Sequence, residues 1–599
     1  MRRLSATVSL ILTFAPSLAA QKPDVRIDLG STAGAARSNG VRLAATGNNS
    51  VYAIWADDRN GLTDVYFNVS GDSGSTWISM ARRIDNGNPA GSTTSAAPEM
   101  ATEGNSIYVV WAENRDGDED IYLNRSSTRG ANWLGSATRL DRGAPGRARS
   151  LRPQVAASGN AVYVVWEDER NGTGTDIYFN RSLNRGNSWL ASDVRLDVGS
   201  PPGAADSLRP RLAAAGTRVY VVWSDLRNGN ADVYANVSDN QGTTWLAGDL
   251  RLDSGAAGAA DSTNVSIAAA DANVFVAWED LRNGPGADIY YNRSRDFGAT
   301  WLGQDLRIDL GRGGGVTDAR APHVAAVGAE PYIVWSDDRN GATDIYFNHS
   351  AVGGTTWQSA PLRVDLGSPP GDAASIAPQL LATNGALYAA WADDRAASGW
   401  SIRFNRSDRS SIAWQPTDLR LDSPSAPTAA PQAPAIAAIG GAGTESVYAA
   451  WEDTRNGAGD VYFTIPFGFQ PYGAGSPGTG GITPTLSGTG RTLLGETPVV
   501  TARRGIGGSL AVVLFGVGPT SQISVPVAGT TVLVLPIFSR AIGLGGPAGQ
   551  PGEGSANLPV PIPLDPTFIG VNINVQVGIR DTGVPAGMAL TNAVQLWVS

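Results

Sequence analysis

Val51-Tyr52-Ala53-Ile54-Trp55-Ala56-Asp57-Asp58-Arg59-Asn60-Gly61, followed by Asp64-Val65-Tyr66-Phe67-Asn68, is the stretch whose reading decides the fold. Its opening apolar run has strand length, and Asn60-Gly61 supplies the positive φ that a tight turn needs. The run from Asp64 then returns as a second strand. The phrase does not stand alone: its Trp recurs at Trp111, Trp166, Trp223, Trp278, Trp335, Trp391 and Trp451, giving eight copies. A second Trp follows at Trp77, Trp133, Trp189, Trp245, Trp301, Trp357 and Trp414, spaced by 56 residues five times and then by 57. A repeat this regular dictates the fold before any single motif does.

Within the third unit, residues 153–157 form a small-residue strand and residues 162–166 a continuous apolar one, buried on both faces. Residues 176–180 make a third strand and 194–197 a fourth. No segment carries a sustained helical period. Four strands per repeat predict an all-β fold, an eight-bladed β-propeller over 21–466, with seven blades and a decayed unit as the rival count. The eighth unit stops after Asp460-Val461-Tyr462-Phe463 and lacks a fourth strand. Asp24-Val25-Arg26-Ile27-Asp28 repeats the fourth-strand phrase Asp193-Val194-Arg195-Leu196-Asp197. The N-terminal strand is therefore expected to complete the last blade and remove a free sheet edge.

The composition excludes several chemistries. The 599 residues contain no Cys and two His, His323 and His349, so thiol chemistry, Cys-based zinc and His-rich metal sites are out. A net charge of −10 does not fit a generic nucleic-acid binder. Arg2 and Arg3, the apolar run from Leu10 to Ala15, and the small residues Ala19 and Ala20 read as a secretory signal over residues 1–20. No later segment has about 18 uninterrupted apolar residues, so no transmembrane segment is expected. The chain should be exported, extracellular or held at the cell surface. Its Arg bias, with the one Lys at Lys22, and the style of the signal fit a bacterial source.

The turn before the second Trp reads Ser70-Gly71-Asp72-Ser73-Gly74-Ser75-Thr76-Trp77, and Ser294, Asp296, Gly298, Thr300 and Trp301 repeat its pattern. Other copies put Thr128, Asn184, Asn240 or Val352 at the Asp position, and the seventh keeps only Ser407 and Trp414. The pattern resembles the Asp-box, or bacterial neuraminidase repeat, of sialidase-like propellers, and the resemblance covers seven units. It implies a structural hairpin in which Asp caps backbone N–H groups, Gly takes the special φ and Trp packs between sheets. It also implies, for a sialidase, an Arg triad, a Tyr nucleophile with Glu, and an Asp acid/base. No Arg-Ile-Pro phrase precedes the first box, and the early Arg26 and Arg42 sit in repeat-like contexts. No catalytic residue is assigned, and an enzyme reading stays secondary.

Two places are candidates for function. The turn joining strands two and three carries an acid in every unit (Asp57, Glu113, Asp168, Asp225, Asp280, Asp337, Asp393, Asp453) and an Arg two residues on. It is either a structural brace, as its eightfold repetition favours, or a ring of paired charges binding a glycan or Ca²⁺. No other cofactor is expected. Unit seven is the most asymmetric: Trp400 is a new aromatic and Arg403 stands where most units have Tyr. Trp400, Arg403, Asp393 and Arg395 are the expected ligand-binding residues, the indole for a sugar ring and the guanidinium for an anion.

After Phe463 the composition shifts. Residues 467–490 read as a Gly/Pro-rich linker and 491–599 as a C-terminal β-sandwich, with Tyr472-Gly473-Ala474-Gly475 and Leu590-Thr591-Asn592 loosely resembling modules of secreted bacterial proteins. The leading expectation is an exported, non-catalytic propeller that binds a glycan or a surface protein. A sialidase-like glycoside hydrolase and a structural matrix scaffold are the alternatives. The oligomeric state is left open.

Overall fold

The computed structural model describes residues 24–599 apart from 48, 397–398, 424–433, 440–445, 467, 473–474, 490–491, 493–494, 496, 518–524, 528–529, 535, 566–567, 569–570 and 599. The expected signal, 1–20, lies outside the described residues. The chain divides after Pro466 into two compact units.

The described residues of the first unit form eight sheets, one for each tryptophan phrase, and the sheets are numbered here from Trp55 (one) to Trp451 (eight). Sheet one runs from Ser38–Thr46 through Ser50–Asp57 and Asp64–Ser70 to Arg82–Arg83, all antiparallel. The second strand is buried along its whole length, as its unbroken apolar run requires. The first strands are Ser38–Thr46, Ser95–Glu103, Ser150–Ser158, Ser207–Ala215, Ser262–Ala270, Ala319–Val327, Ser375–Ala382 and Ala435–Ile439. They pack on one another in chain order, and the last packs on the first. The result is a propeller, a ring of sheets whose first strands face a central channel.

Three details depart from the sequence expectation. The first strand of unit three is longer than 153–157 and contains a bulge between Leu151 and Gln154. Its fourth strand is two residues, Val194–Arg195, rather than four. Leu196 still donates to the Ile177 carbonyl at 2.9 Å, but Asp197 turns its carboxylate to the Ile177 N–H and the Ser207 hydroxyl, which ends the ladder. Residues 467–490 are not a plain linker: Gly468–Tyr472 pairs with Ala593–Trp597, and Thr485–Thr489 pairs with Val499–Ile506. Gly475 and Gly478 reflect close packing there, because a Cβ would meet Leu590 O at 2.4 Å and the Asp581 carboxylate at 2.5 Å.

Val25–Arg26 pairs with Asp460–Thr464, Val25 opposite Phe463 and Arg26 opposite Tyr462, so the N-terminal strand is the outer strand of sheet eight. In the second unit, one six-stranded and one three-stranded sheet share a core that includes Val500, Ala502, Leu558, Val513, Val575 and Val577.

Candidate functional site

The hairpins behave as load-carrying parts. In unit one, Asp72 accepts the Thr76 N–H at 2.8 Å and the Thr76 hydroxyl at 2.6 Å, while Ser70 Oγ accepts the Gly74 N–H at 2.8 Å. Gly74 sits at φ +82°, where a Cβ would strike the Phe463 ring. Ser294, Asp296, Gly298 and Thr300 make the same bonds, and Trp301 donates to the Gly298 carbonyl at 3.2 Å. The Trp77 ring packs edge-on against Phe463 of unit eight, 4.9 Å between centroids. Trp133, Trp245, Trp357 and Trp414 pack edge-on in the same way on Phe67, Phe179, Tyr291 and Phe347 of the preceding sheet.

The acid–arginine turns lie at the opposite end of the sheets. Asp57 is fully buried and accepts the Trp55 Nε1–H at 3.0 Å, the Ser38 hydroxyl at 2.8 Å and the Arg59 guanidinium at 2.8 and 2.6 Å. The Arg59 guanidinium also covers the Tyr66 ring at 4.1 Å and donates to the Leu29 carbonyl at 3.0 Å. Arg170, Arg227, Arg282 and Arg395 instead reach a second carboxylate, Asp193, Asp249, Asp305 and Asp418, and Arg455 reaches Asp24. The acids are spent on protein donors, the Arg guanidinium among them. This geometry is that of a brace.

In unit seven the turn lengthens into a hairpin, with strands Ala386–Ala396 and Gly399–Asp408. Asp393 holds Arg395, and Arg395 and Arg403 both face Asp418, Arg403 Nη1 at 3.5 Å from it. Burial pulls the Arg403 pKa down. Two of the four expected ligand residues, Arg395 and Arg403, thus converge on the Asp418 carboxylate, and the third, Asp393, is taken up by Arg395. Trp400 is half-buried beside them on the hairpin.

A richer arrangement lies on the first strands, outside the motifs of the sequence. Each bulge sets one residue left-handed: Gly40, Ala97, Arg152, Arg209, Asn264, Ala321 and Ala377, at φ between 49° and 66°. The bulge is architectural because it recurs. What changes is the side chain it presents at the channel mouth, and Arg152, Arg209 and Asn264 sit on three consecutive strands. Buried Glu167 takes the Arg152 guanidinium at 2.9 Å and the Arg209 backbone N–H. Buried Glu279 takes Asn264 Nδ2 at 2.8 Å, the Ala321 N–H at 2.7 Å and Arg320 at 3.4 Å. Arg209 donates to the Asn264 side-chain oxygen, which closes a polar arc over units three to six. Burial raises the Glu167 pKa against the lowering by its hydrogen bonds and Arg152.

Two residues further along, the same strands carry Arg42, Glu99, Gln154, Arg211, Ser266, His323, Gln379 and Ala435, all opposite the residue before the phrase Trp. Arg42 grips Glu99 with two bonds, at 3.0 and 2.8 Å. Gln154 and Gln379 donate to the carbonyls of Pro153 and Pro378. Burial and the charge of Arg211 push the His323 pKa down to about 4. Aligning the eight first strands would have exposed this position, since it varies while its neighbours stay small or apolar.

No protein-family model matches the chain, and no curated protein does. Among solved structures, it is similar to a polysaccharide lyase, an ulvan lyase bound to a sulfated glucuronyl–rhamnose sequence, at 11% identity, covering 74% of this chain and 96% of that one, with a TM-score of 0.38. A protein of unknown function from Dyadobacter fermentans matches at 11% identity over 74% of this chain and 98% of its own, TM-score 0.37. An α-L-arabinofuranosidase of Fusarium graminearum matches at 15% identity over 65% of this chain and 99% of its own, TM-score 0.35.

Proposed function

We propose that this is an exported eight-bladed β-propeller, closed by its N-terminal strand and followed by a C-terminal β-sandwich. It binds an anionic glycan at the channel mouth and does not cleave it. The observation that carries the reading is the arc of Arg152, Arg209, Asn264 and Arg320. It is asymmetric, as a binding site in a ring must be, and it presents guanidinium forks in a chain of net charge −10. Glu167 and Glu279 lie buried beneath it and hold the donors in place, and Asp318 holds Arg320 at 2.7 Å. Arg forks suit the carboxylate or sulfate groups of acidic sugars because they bind them through paired bonds. The half-buried Trp400 on the unit-seven hairpin adds a ring on which a sugar can stack.

A sialidase mechanism needs a tyrosine hydroxyl over the channel. Every tyrosine from Tyr52 to Tyr462 is at most 9% exposed. In six units the strand-three tyrosine accepts from the turn asparagine, as Tyr66 does from Asn60 at 2.7 Å. A glycan array probed with the mature chain tests the proposal. Retention on carboxylated or sulfated glycans should fall about tenfold or more in an Arg152→Gln/Arg209→Gln double variant, each lost charged bond counting for more than a kcal/mol. Release of terminal sugars would overturn it in favour of a hydrolase. An array without retention would point to a protein partner or a structural scaffold.

A further inference from the structure

The layer below the mouth arc has an imbalance that the arc does not explain. Elsewhere around the channel the donors have partners: Arg42 holds Glu99, and Gln154 and Gln379 each donate to the carbonyl of the preceding proline. By contrast, three consecutive first strands present Arg211, Ser266 and His323. Ser266 Oγ accepts the Val324 N–H at 3.1 Å, so its own O–H is left to donate elsewhere. His323 Nδ1 accepts the Leu380 N–H at 3.3 Å, which places the ring proton of the neutral imidazole on Nε2. Among the described residues, Arg211, the Ser266 hydroxyl and His323 Nε2 have no hydrogen-bond acceptor, and Arg211 has no ion pair.

The three donors share one locality. Their first strands pack side by side in the order Ser207–Ala215, Ser262–Ala270, Ala319–Val327, and the charge of Arg211 acts on His323 from two strands away. The bulge residues Arg209 and Asn264 stand above them on two of the same strands. Donors of this kind without acceptors, around one guanidinium that has no ion pair, form the complement of an oxyanion.

We propose that Arg211, Ser266 and His323 form an oxyanion site inside the channel, one layer below the mouth, that takes a single carboxylate or sulfate group. It rests on the channel geometry and is independent of whether the mouth arc holds a glycan. The anion is either free or the substituent of an acidic sugar lowered into the channel. Glu99, two first strands before Arg211, is held by both bonds from Arg42, so Arg211 has no ion pair with it.

The chain's two histidines make the test direct. In the full mature chain labelled at histidine carbon, NMR resolves His323 and His349, and a His323→Gln variant assigns them. His349 stacks on Phe347 and Tyr332 outside the layer and serves as the internal reference. Both are titrated in chloride buffer, then with sodium sulfate, with sodium glucuronate, and with glucose as the uncharged control. An anion seated beside the imidazole favours its charged form, so His323 should move up from about 4 by about one unit while His349 stays in place. A response to sulfate and glucuronate alike assigns the site to the free anion. A response to glucuronate alone assigns it to the acidic sugar. Arg211→Gln should abolish the response and Arg211→Lys should retain part of it. A His323 curve unmoved by both anions, or one that moves equally in Arg211→Gln, overturns the site. Mouth-arc variants that lose glycan retention while the His323 response persists would separate the two proposals.

Discussion

At the scale of single residues, the hairpin before the second Trp shows what one side chain contributes. In units one and five an Asp bridges the turn, and hydrogen bonds from the Thr300 hydroxyl and N–H and from Ser294 hold the Asp296 pKa down at about 2. Unit six has Val352 at that place, 61% exposed, so the Thr356 N–H loses its acceptor while Ser350 Oγ still takes the Gly354 N–H at 3.1 Å. Val352→Asp should therefore stabilise the chain by about 1 kcal/mol, the net worth of a recovered hydrogen bond, and Asp296→Ala should cost a similar amount. Urea unfolding of both variants reads this directly. An unchanged midpoint for Val352→Asp would show that the turn is held by Ser350 and Gly354 alone. This part of the chain was legible in the sequence because the turn repeats a fixed order of residue types. The mouth and the layer beneath it were not, because Glu99, Arg211, Ser266 and His323 share a position and no residue type, and a motif search passes over such a position.

At the scale of the element, the outermost strands are only two residues long and need more than a ladder. Arg83 Nε lies 3.0 Å from Asp64 and 2.7 Å from Asp85, so one guanidinium holds two carboxylates. The arrangement recurs with Arg139, Arg195, Arg251, Arg307 and Arg363. Unit seven has Ser401 in place of the inner acid, and Arg420 there holds Asp422 alone. Two carboxylates around one cation cannot both ionise cheaply when buried. Burial pushes Asp141 up to about 8, Asp197, Asp253 and Asp365 to about 7, and Asp85 and Asp309 to about 6. These groups bind protons more tightly folded than unfolded. Their stabilisation is complete below the unfolded value near 4 and is lost as pH rises from about 6 through 8. The turn acids Asp57, Asp225, Asp280 and Asp393 are shifted down by their Arg partners and favour the fold in the other direction, above pH 4. The melting temperature should therefore peak near pH 5 and fall between pH 6 and 8.5. Asp141→Asn, which keeps an acceptor for the Ser150 hydroxyl, should flatten the upper end of that fall. A melting temperature that is level or rising over that window would mean the paired acids are ionised throughout.

At the scale of the whole ring, a linear chain must close on itself. The sequence showed the closing strand because Asp24 to Asp28 repeats the phrase from Asp193 to Asp197. It hid the linkage itself, which is electrostatic as much as it is a ladder. Asp24 takes the Arg455 guanidinium at 2.9 and 2.6 Å and the Ser423 N–H at 3.2 Å, and Arg26 lies 3.1 Å from Asp460. Ile27 is fully buried in a core shared with Phe463, Tyr448 and Trp55, so the strand also seals the seam between units eight and one. Removing one partner of a buried pair costs about 3–5 kcal/mol, and Arg455→Met, which would leave Asp24 and Asp453 facing each other, should fall in that range. A chain that begins at Gly34 loses the ladder, the pair and Ile27 together. It should melt well below the full chain and, with the strand from Asp460 to Thr464 exposed as an edge, associate as concentration rises. A synthetic peptide of residues 24–31 should restore both the melting temperature and the monomer. Calorimetry and light scattering at two concentrations give the answer. A truncated chain that melts with the full one and stays monodisperse would show that the ring is held by the contact between Ala435–Ile439 and Ser38–Thr46, with the N-terminal strand as an addition to its rim.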